Sequence, residues 1–542
     1  MHEPWRLQGR TLLIASLILA LGVVLRIAPF VQNRALWIDE AVLADNLVSK
    51  SYAELGRPLD HHQAAPIGFL WAEKCMIGLL GSGERALRLV PLIASLLMLP
   101  AAFLLARRIC SLRGTIIALL LVAVSDPLIY FGDEVKPYML DALAATLALW
   151  LAVRAAQRGF TLGDLLALAL TGGAALWFSF PVVFVLAGIM ASLIGSAAMA
   201  RHRTALIRLA LPASVFAVSF GINFMLFIRS SAQSQALADY WKAVGAFMPL
   251  PPTSIREALW FIQTPLNYFI DPGGFRAFGV AIVLACVGGF VLWRERRLVA
   301  GLLIAPLIVA LAAAAAKKYP FATADAIGEH WLGRVLVFSL PAVLILIALG
   351  IDRLALAVGH VKQNAVNDNA LRREWIALAV TLFILLIHPL DRIARGLRDH
   401  RPGQDVRATF EYLATHQRQG DRVYPTWPVR QLAAYYRHRF PISDPATWIN
   451  THPVLVKQML TPDAWARMND WKQFEAEIQA VAGGRLWMFI SHEPSTSSFA
   501  DEKFLKHLLS RRGTILDQQV NGEASLYLVQ LNAKAAAETS EN

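Results

Sequence analysis

Two pairs of adjacent carboxylates are the clearest candidates for chemistry in this sequence. Asp39 and Glu40 follow shortly after the first long apolar run, and Asp133 and Glu134 stand between two later runs. A carboxylate this close to hydrocarbon is costly unless it is hydrated, paired or bound to a metal ion. Because a positioned carboxylate can take a proton from a reacting group, both pairs are catalytic candidates. The alternative is structural: Asp39 would cap a following helix and Asp133 would cap a turn.

Cationic and histidine side chains in the same regions could bind an anion or a metal ion. Lys136 and Tyr138 follow the second acidic pair, and Arg334 begins a later apolar run. Long cationic side chains also extend to lipid headgroups without binding a ligand, so both interpretations stand. His61 and His62 are candidate ligands for a divalent metal ion, although an exposed pair of histidines more often binds nothing.

The composition indicates a membrane protein. Of the 542 residues, 56% are hydrophobic and 17% are charged, whereas soluble domains have about a quarter charged residues. This excludes soluble globular, disordered and collagenous classes for the chain as a whole. The three cysteines, at 75, 110 and 286, are odd in number and widely spaced, so the sequence predicts neither a disulfide framework nor a cysteine metal site.

Eleven apolar runs approach the length of about 20 residues that a helix needs to cross the hydrocarbon core. They fall at roughly 11–30, 87–106, 114–132, 138–153, 162–178, 181–200, 205–228, 276–293, 298–316, 332–350 and 374–390. The first run is too long for the core of a signal peptide, and no small-residue cleavage site follows it. We therefore expect it to remain as an anchor.

Connections that are rich in lysine and arginine alternate with connections that are poor in them. After Arg6 and Arg10, every second connection is rich in basic residues, whereas the connections at 132–137 and 178–181 contain only Lys136. Cytoplasmic loops carry such an excess, so the N-terminus is predicted to be cytoplasmic and the C-terminus to lie outside. The net charge of +12 is then a topology signal, and nucleic acid drops out as an expected partner.

The chain divides into a membrane part and a C-terminal appendage. Residues 1–393 form the predicted transmembrane domain, with polar outer-face regions at 31–86, 132–137, 229–275 and 317–331. Residues 394–542 form a predicted soluble α/β domain. Periodicity predicts helices at 406–416, 429–436 and 504–511, and strands at 422–424, 485–490 and 524–529.

Four segments of the membrane part form a recognisable set. They are Trp37-Ile38-Asp39-Glu40; residues 81–89 with Glu84, Arg85 and Arg88; residues 133–138; and Tyr319-Pro320-Phe321 followed by Arg334, Phe338 and Pro341. Together they resemble the integral-membrane glycosyltransferases of the GT-C superfamily. The resemblance is closest to the family 39-like proteins, which include protein mannosyltransferases and lipid A aminoarabinose transferases, and it covers roughly residues 10–390.

The sequence departs from that family in two places. Many relatives have His-Pro-Pro in the first outer loop, where this chain has His61-His62-Gln63-Ala64-Ala65-Pro66. The segment Lys136-Pro137-Tyr138 replaces an Arg-rich variant that is common among relatives. These departures affect the loops in which the family contacts its substrates.

The resemblance implies a fold, an activity and a set of site residues. It implies a mostly α, polytopic helix bundle that transfers a sugar from a polyprenyl-phosphate donor to an acceptor hydroxyl, with inversion. Asp39 would be the general base, and Glu40, Asp133 and Glu134 would be further catalytic candidates. Lys136, Tyr138 and Arg334 would bind the donor phosphate, with a divalent metal ion as a possible cofactor.

The resemblance also implies a place in the cell and a set of partners. The protein would lie among the lipids of a bacterial inner membrane, with residues 394–542 in the periplasm, and the acceptor would be a lipid, a glycan or a protein. The alternatives are a transporter or flippase of lipid-linked sugars and a non-catalytic membrane partner. Transporters often have acidic residues near the bilayer midplane, whereas the conspicuous acids here lie in outer loops.

Overall fold

The structure, a computed structural model, divides into two compact units. It describes residues 9–229, 235–324, 332–360, 368–398, 406–449, 478, 481, 483–491, 502, 506–507, 509–521 and 524–533. The first unit comprises Met1–Gln32, Ser51–Met76 and Arg88–Arg398, and the second comprises Asn33–Lys50, Ile77–Leu87 and Asp399–Asn542. The second unit therefore combines the C-terminal appendage with two segments of the first predicted outer region.

The described chain is predominantly helical. Its helices are α1 (Gly9–Gln32), α2 (Ile38–Ser49), α3 (Ile67–Leu80), α4 (Glu84–Leu87), α5 (Leu89–Ile109), α6 (Leu112–Ala123), α7 (Asp126–Tyr130), α8 (Tyr138–Gln157), α9 (Leu162–Phe178), α10 (Val182–Met199), α11 (Arg203–Asn223), α12 (Gln235–Ala243), α13 (Ile255–Asn267), α14 (Phe278–Glu295), α15 (Arg297–Ala315), α16 (Leu340–His360), α17 (Asp368–Arg398), α18 (Arg407–His416) and α19 (Trp427–Tyr436). Short 3₁₀ segments at Phe131–Asp133 and Gly333–Ser339 precede α8 and α16.

The first unit is a polytopic transmembrane helix bundle. Among the described residues, nine helical segments are long and apolar enough to cross a membrane: α1, α5, α8, α10, Arg203–Ile228, α14, α15, Gly333–Val358 and Arg372–Arg398. All eleven predicted runs lie on helices, but two of them are not simple spans. The third run is a pair of helices, Leu112–Ala123 and Asp126–Asp133, bent by 53°, and the fifth is α9, which has only 17 residues.

Some predicted boundaries differ from the structure or lie outside it. The boundary at residue 394 falls in the last turns of α17, which continues to Arg398. Residues 230–234 and 325–331 of the predicted outer regions lie outside the described residues, as do 504, 505 and 508 of the predicted helix at 504–511. The described residues of that predicted helix are helical.

The helices of the first unit pack around one central span. The segment Gly333–Val358 is 94% buried in its most apolar window, which makes it the core of the bundle. α14 packs against α16, α10 against α15, α5 against α8, and α9 against α11. At the crossing of α14 and α16, a Cβ on Gly288 would collide with the Leu346 carbonyl, so glycine permits the close approach.

A buried arginine fixes the bend between α6 and α7. Arg26 of α1 is 1% exposed and donates to the carbonyls of Val122 and Ala123, each at 3.0 Å, where α6 ends. It also donates to the carbonyls of Gly22 at 3.0 Å and Ser95 at 3.1 Å. The last carbonyls of a helix lack internal partners and attract cations. Arg26 therefore caps α6 and supports the turn into α7.

The described part of the C-terminal appendage contains a small mixed sheet. Its strands are β1 (Arg422–Pro425), β2 (Arg485–Ser491), β3 (Gly513–Asn521) and β4 (Ala524–Leu531), in the order β1-β2-β4-β3. β1 and β2 are parallel, and β4 pairs antiparallel with both β2 and β3. The predicted α/β character is confirmed. The sequence did not predict β3, because this edge strand lacks the fully apolar pattern of the buried strands β2 and β4.

Candidate active site

Asp39 lies in the first turn of α2, with its side chain half-buried. Trp37 is the N-cap residue of this helix, so Asp39 does not occupy the capping position that the structural interpretation assigned to it. The N-terminus of a helix favours negative charge. Asp39 therefore lies where the helix favours negative charge, and its side chain is only partly buried.

Glu40 is fully buried and anchors the start of α2. Its Oε2 accepts from Arg34 Nη1 at 2.6 Å, and its Oε1 accepts from Arg34 Nη2 at 3.1 Å. Its Oε2 also accepts from the Trp37 N–H at 3.2 Å, which closes the helix N-terminus. Bidentate pairs of this kind fix geometry as well as charge. These contacts give Glu40 a positioning role and distinguish it from Asp39.

The second acidic pair lies in the first unit, where the Phe131–Asp133 turn leads into α8. Asp133 and Glu134 are each 1% exposed. The turn is held against α5, because Ser95 Oγ donates to the main chain of α7 at 3.2 Å. Gly132 passes so close that a Cβ there would come within 2.5 Å of Ser95 Oγ. Two carboxyl groups are thus held in fixed positions away from water, which is costly unless opposite charge or protons compensate.

Lys136 brings a buried positive charge to the same loop. Its side chain is 5% exposed, and Nζ donates to Gln63 Oε1 at 2.7 Å. Gln63 belongs to the first predicted outer region, in the segment where this chain departs from the His-Pro-Pro pattern. Sequence reasoning did not connect the two residues, since no local pattern links side chains 73 positions apart. The structure therefore joins the first predicted outer region to the second acidic loop through the candidate phosphate ligand.

Arg334 lies on the 3₁₀ segment that precedes α16, and its side chain is half-buried. Its guanidinium is 5.7 Å from the centroid of the Trp241 ring, which is a favourable cation–π distance. The preceding N–H, of Gly333, donates to Asp271 Oδ2 at 2.7 Å and fixes the backbone. An aromatic ring and a main-chain bond thus hold this cation at the N-terminal end of the central span.

Tyr319 binds the segment that carries Arg334. Its hydroxyl donates to the carbonyl of Val335, the residue after Arg334, at 2.8 Å. Burial raises the pKa of Tyr319 well above its ordinary value, and the nearby acidic groups of Asp141 and Tyr138 act in the same direction. Tyr319 is therefore a neutral hydrogen-bond donor at physiological pH. Of the predicted phosphate ligands, Arg334 lies on the segment that Tyr319 binds, and Tyr138 is near enough to influence the Tyr319 hydroxyl.

A further buried carboxyl group lies outside the predicted set. Glu73 of α3 is 0% exposed, and neither of its oxygens has a hydrogen-bond partner among the described residues. Burial raises its pKa well above the ordinary value of 4.5. Burial thus favours the protonated form of this group, and we assign it to the interior and not to the candidate site.

Comparisons with known proteins confirm the resemblance predicted from the sequence. Residues 64–221 match the model of the dolichyl-phosphate-mannose-protein mannosyltransferase family. The fold is similar to that of ArnT from Cupriavidus metallidurans bound to undecaprenyl phosphate, with a TM-score of 0.54 and 14% identity over 98% of this chain and 99% of that chain. It is also similar to oligosaccharyltransferase AglB from Archaeoglobus fulgidus in complex with an inhibitory peptide and a dolichol-phosphate, with a TM-score of 0.50 and 14% identity over 88% of this chain and 69% of that chain. No curated protein matches the sequence. The structural matches show a shared polytopic fold.

The described part of the chain contains no set of ligands for the predicted metal site. A structure of the Archaeoglobus fulgidus oligosaccharyltransferase is a complex with Zn and sulfate. Here His61 and His62 are exposed, and no group of three or more His, Cys, Asp or Glu side chains among the described residues could hold a metal ion. Because these residues do not fit a metal ion, the mechanism below uses the cations of the chain itself.

Proposed function

We propose that this protein transfers a sugar from a polyprenyl-phosphate donor to an acceptor hydroxyl group on the outer face of the membrane. The observation that carries the proposal is the Asp133–Lys136 loop, in which a lysine and two carboxyl groups are buried at the end of an apolar helix. Buried charges of this kind in a membrane protein indicate a functional site by default. The family match and the shared fold support transfer from a lipid-linked donor.

In the proposed reaction, Asp39 is the general base. The acceptor oxygen attacks C1 of the sugar as its proton moves to the Asp39 carboxylate. The bond from C1 to the phosphate oxygen breaks, and the electron pair leaves with the polyprenyl phosphate. A single displacement of this kind inverts the anomeric centre. General-base help of this kind is worth about 10²–10⁴ in rate.

The leaving phosphate needs charge stabilisation more than it needs a proton. A phosphate is a weakly basic leaving group, so positioned cations and hydrogen-bond donors can stabilise the charge that develops on it. We assign this role to Lys136 and Arg334, with the Tyr138 hydroxyl as a further donor. Asp133 and Glu134 would balance the Lys136 charge when the site is empty, which limits the cost of burying that ammonium group.

The proposal includes an orientation and a compartment. The alternation of basic connections predicts a cytoplasmic N-terminus and acidic loops on the outer face. It also places the C-terminal appendage, residues 394–542, on the outer face; we call it the C-terminal module. By resemblance, the membrane would be a bacterial inner membrane and the outer compartment the periplasm. The acceptor would be a lipid, a glycan or a protein. The buried carboxyl groups of the Asp133–Lys136 loop lie at a span end, which favours a transferase over a midplane relay of the transporter type.

The substitution Asp39→Asn tests the proposed function directly. Purified protein in nanodiscs would be incubated with radiolabelled undecaprenyl-phosphate sugars and a membrane extract, and label would be followed into lipid, glycan and protein fractions. Asp39→Asn should lower turnover about 10²–10⁴-fold. The matched control is Asp60→Asn, which changes an exposed acid of the same outer region. Turnover near that of the wild type in Asp39→Asn would remove Asp39 as the base.

A further inference from the structure

The C-terminal module contacts the segment that carries Asp39. Within the second unit, α19 packs against α2. Tyr436, at the end of α19, is fully buried. Its hydroxyl accepts from the Leu36 N–H at 3.1 Å and donates to Glu84 Oε1 at 3.4 Å. One hydroxyl group therefore joins the main chain three residues before Asp39 to a buried carboxylate.

A second contact from the module holds the same segment. Arg407 of α18 binds Glu84 Oε1 through Nε at 2.8 Å and donates from Nη2 to the Asn33 carbonyl at 2.9 Å. Glu84 is 3% exposed, so this pair is largely shielded from water. Charge-assisted contacts in such surroundings are short and directional. Asn33 and Leu36 lie at the two ends of the loop that enters α2, and both are held through the Arg407–Glu84–Tyr436 network.

The far end of α2 has its own contacts with the module. Asp45, 5% exposed, accepts from His438 Nε2 at 3.0 Å and pairs with Arg437 Nη2 at 3.5 Å. The helix that carries Asp39 is thus attached to residues 407–438 before its first turn and near its last. An exposed loop without such contacts would open locally at little cost in free energy.

We propose that residues 407–438 of the C-terminal module position Asp39 for proton transfer, and that Tyr436 is the central positioning residue. This inference rests on the proposed function of Asp39 as the base. A displacement of about 1 Å in a catalytic group can cost about 10²-fold in rate. Through Leu36 and Glu84, Tyr436 fixes the backbone from which the first turn of α2 starts. The module therefore contributes to turnover without touching the substrate.

The substitution Tyr436→Phe removes one hydroxyl group and keeps the buried ring. It should lower turnover about 10–100-fold and leave the donor KM within about twofold, because the donor-binding cations are unchanged. The matched control is Tyr412→Phe, which removes a hydroxyl that binds Asp517 elsewhere in the same module. That control should turn over at the wild-type rate.

A double-mutant cycle separates positioning from general damage to the fold. If Tyr436 acts through Asp39, Tyr436→Phe should have no further effect on the residual rate of Asp39→Asn. A loss that is equally large in both backgrounds would overturn the proposal, since it would show that Tyr436 acts independently of Asp39. An unchanged turnover of Tyr436→Phe in otherwise wild-type protein would overturn it as well.

Hydrogen exchange provides a readout that does not depend on sugar transfer. Amides of residues 34–40 should exchange at least about 10-fold faster in Tyr436→Phe than in the wild type, whereas β2 and β4 should keep their protection. Unchanged exchange in 34–40 would overturn the positioning role whatever the activity. Failure of the proposed function has a different signature, namely an Asp39→Asn variant that remains fully active while the exchange difference persists.

Discussion

Replacing Lys136 with methionine tests the donor-phosphate site. Methionine keeps most of the apolar length of the side chain and removes the ammonium group. The side chain is 5% exposed, so the charge interacts with its partners at a reduced local dielectric. One charge-assisted contact is worth about 1.5–3 kcal/mol, which corresponds to about 10–150-fold in affinity. If the contact is equally strong in the ground and transition states, the loss should fall on the donor KM and not on turnover.

The assay is a donor titration in nanodiscs with an undecaprenyl-phosphate sugar, at fixed acceptor. Gln63→Leu should raise the donor KM by less than about 10-fold, because the ammonium remains and loses only the partner at 2.7 Å. The control Lys317→Met removes an exposed lysine from the connection before Tyr319 and should saturate as the wild type does. Arg334→Ala should raise the donor KM, as Lys136→Met does. Asp39→Asn should instead reduce turnover.

Unchanged donor saturation in Lys136→Met would refute this reasoning. The buried ammonium would then serve Gln63 and its own loop, and the phosphate would have to be bound elsewhere. A large fall in turnover with an unchanged donor KM would also contradict the assignment as stated, because it would place the contact in the transition state alone.

Three further predictions concern the interior, the bend and the topology. Because the pKa of Glu73 is raised in the folded state, unfolding releases its proton above the ordinary pKa of 4.5. The free energy of unfolding should therefore fall as pH rises, by up to about 1.4 kcal/mol per pH unit. Glu73→Gln should raise the Tm at pH 8 more than at pH 5. Equal Tm shifts at the two pH values would contradict this prediction. Arg26→Met removes the side-chain donor that four carbonyls share, two of them at the end of α6, and should cost about 3 kcal/mol or more, measured as a lower Tm than in Arg10→Met. A reporter fused after Asn542 should be active outside the cytoplasm, and activity confined to the cytoplasm would refute the orientation.

Most of the fold prediction came from hydropathy, which located the helices of the bundle. Each of the eleven predicted runs lies on a helix because crossing hydrocarbon demands a long local apolar pattern that a sequence displays directly. The break at residues 124–125 was not predicted, although Pro127 in the first turn of α7 marks it locally; the contacts that Arg26 makes with the end of α6, about 100 positions away, have no such local signal. The edge strand β3 was missed for a related reason: it is stabilised by pairing with β4 and not by an apolar pattern of its own.

The candidate site divides in the same way between local and distant information. Sequence reasoning selected Asp39 and Glu40 from their place after the first span, and the resemblance favoured Asp39 as the base, but the sequence did not show what Glu40 binds. That partner is Arg34, whose two nitrogens bind both oxygens of Glu40. The contact between Tyr436 and Leu36 joins positions 400 residues apart and has no signature in either neighbourhood.

The burial of the carboxyl groups separates the base from the groups that support it. A base must lose its proton to the surroundings after every turnover, so it needs a route to water as well as contact with the acceptor. Glu40 is fully buried and paired, Glu73 is buried with a raised pKa, and Asp133 and Glu134 are each 1% exposed in the same loop as a buried lysine. Asp39 is half-buried in the first turn of a helix that favours its negative charge. Among these five carboxyl groups, Asp39 is therefore the one that combines partial solvent access with a place at a helix N-terminus, and this combination suits the base of the proposed reaction.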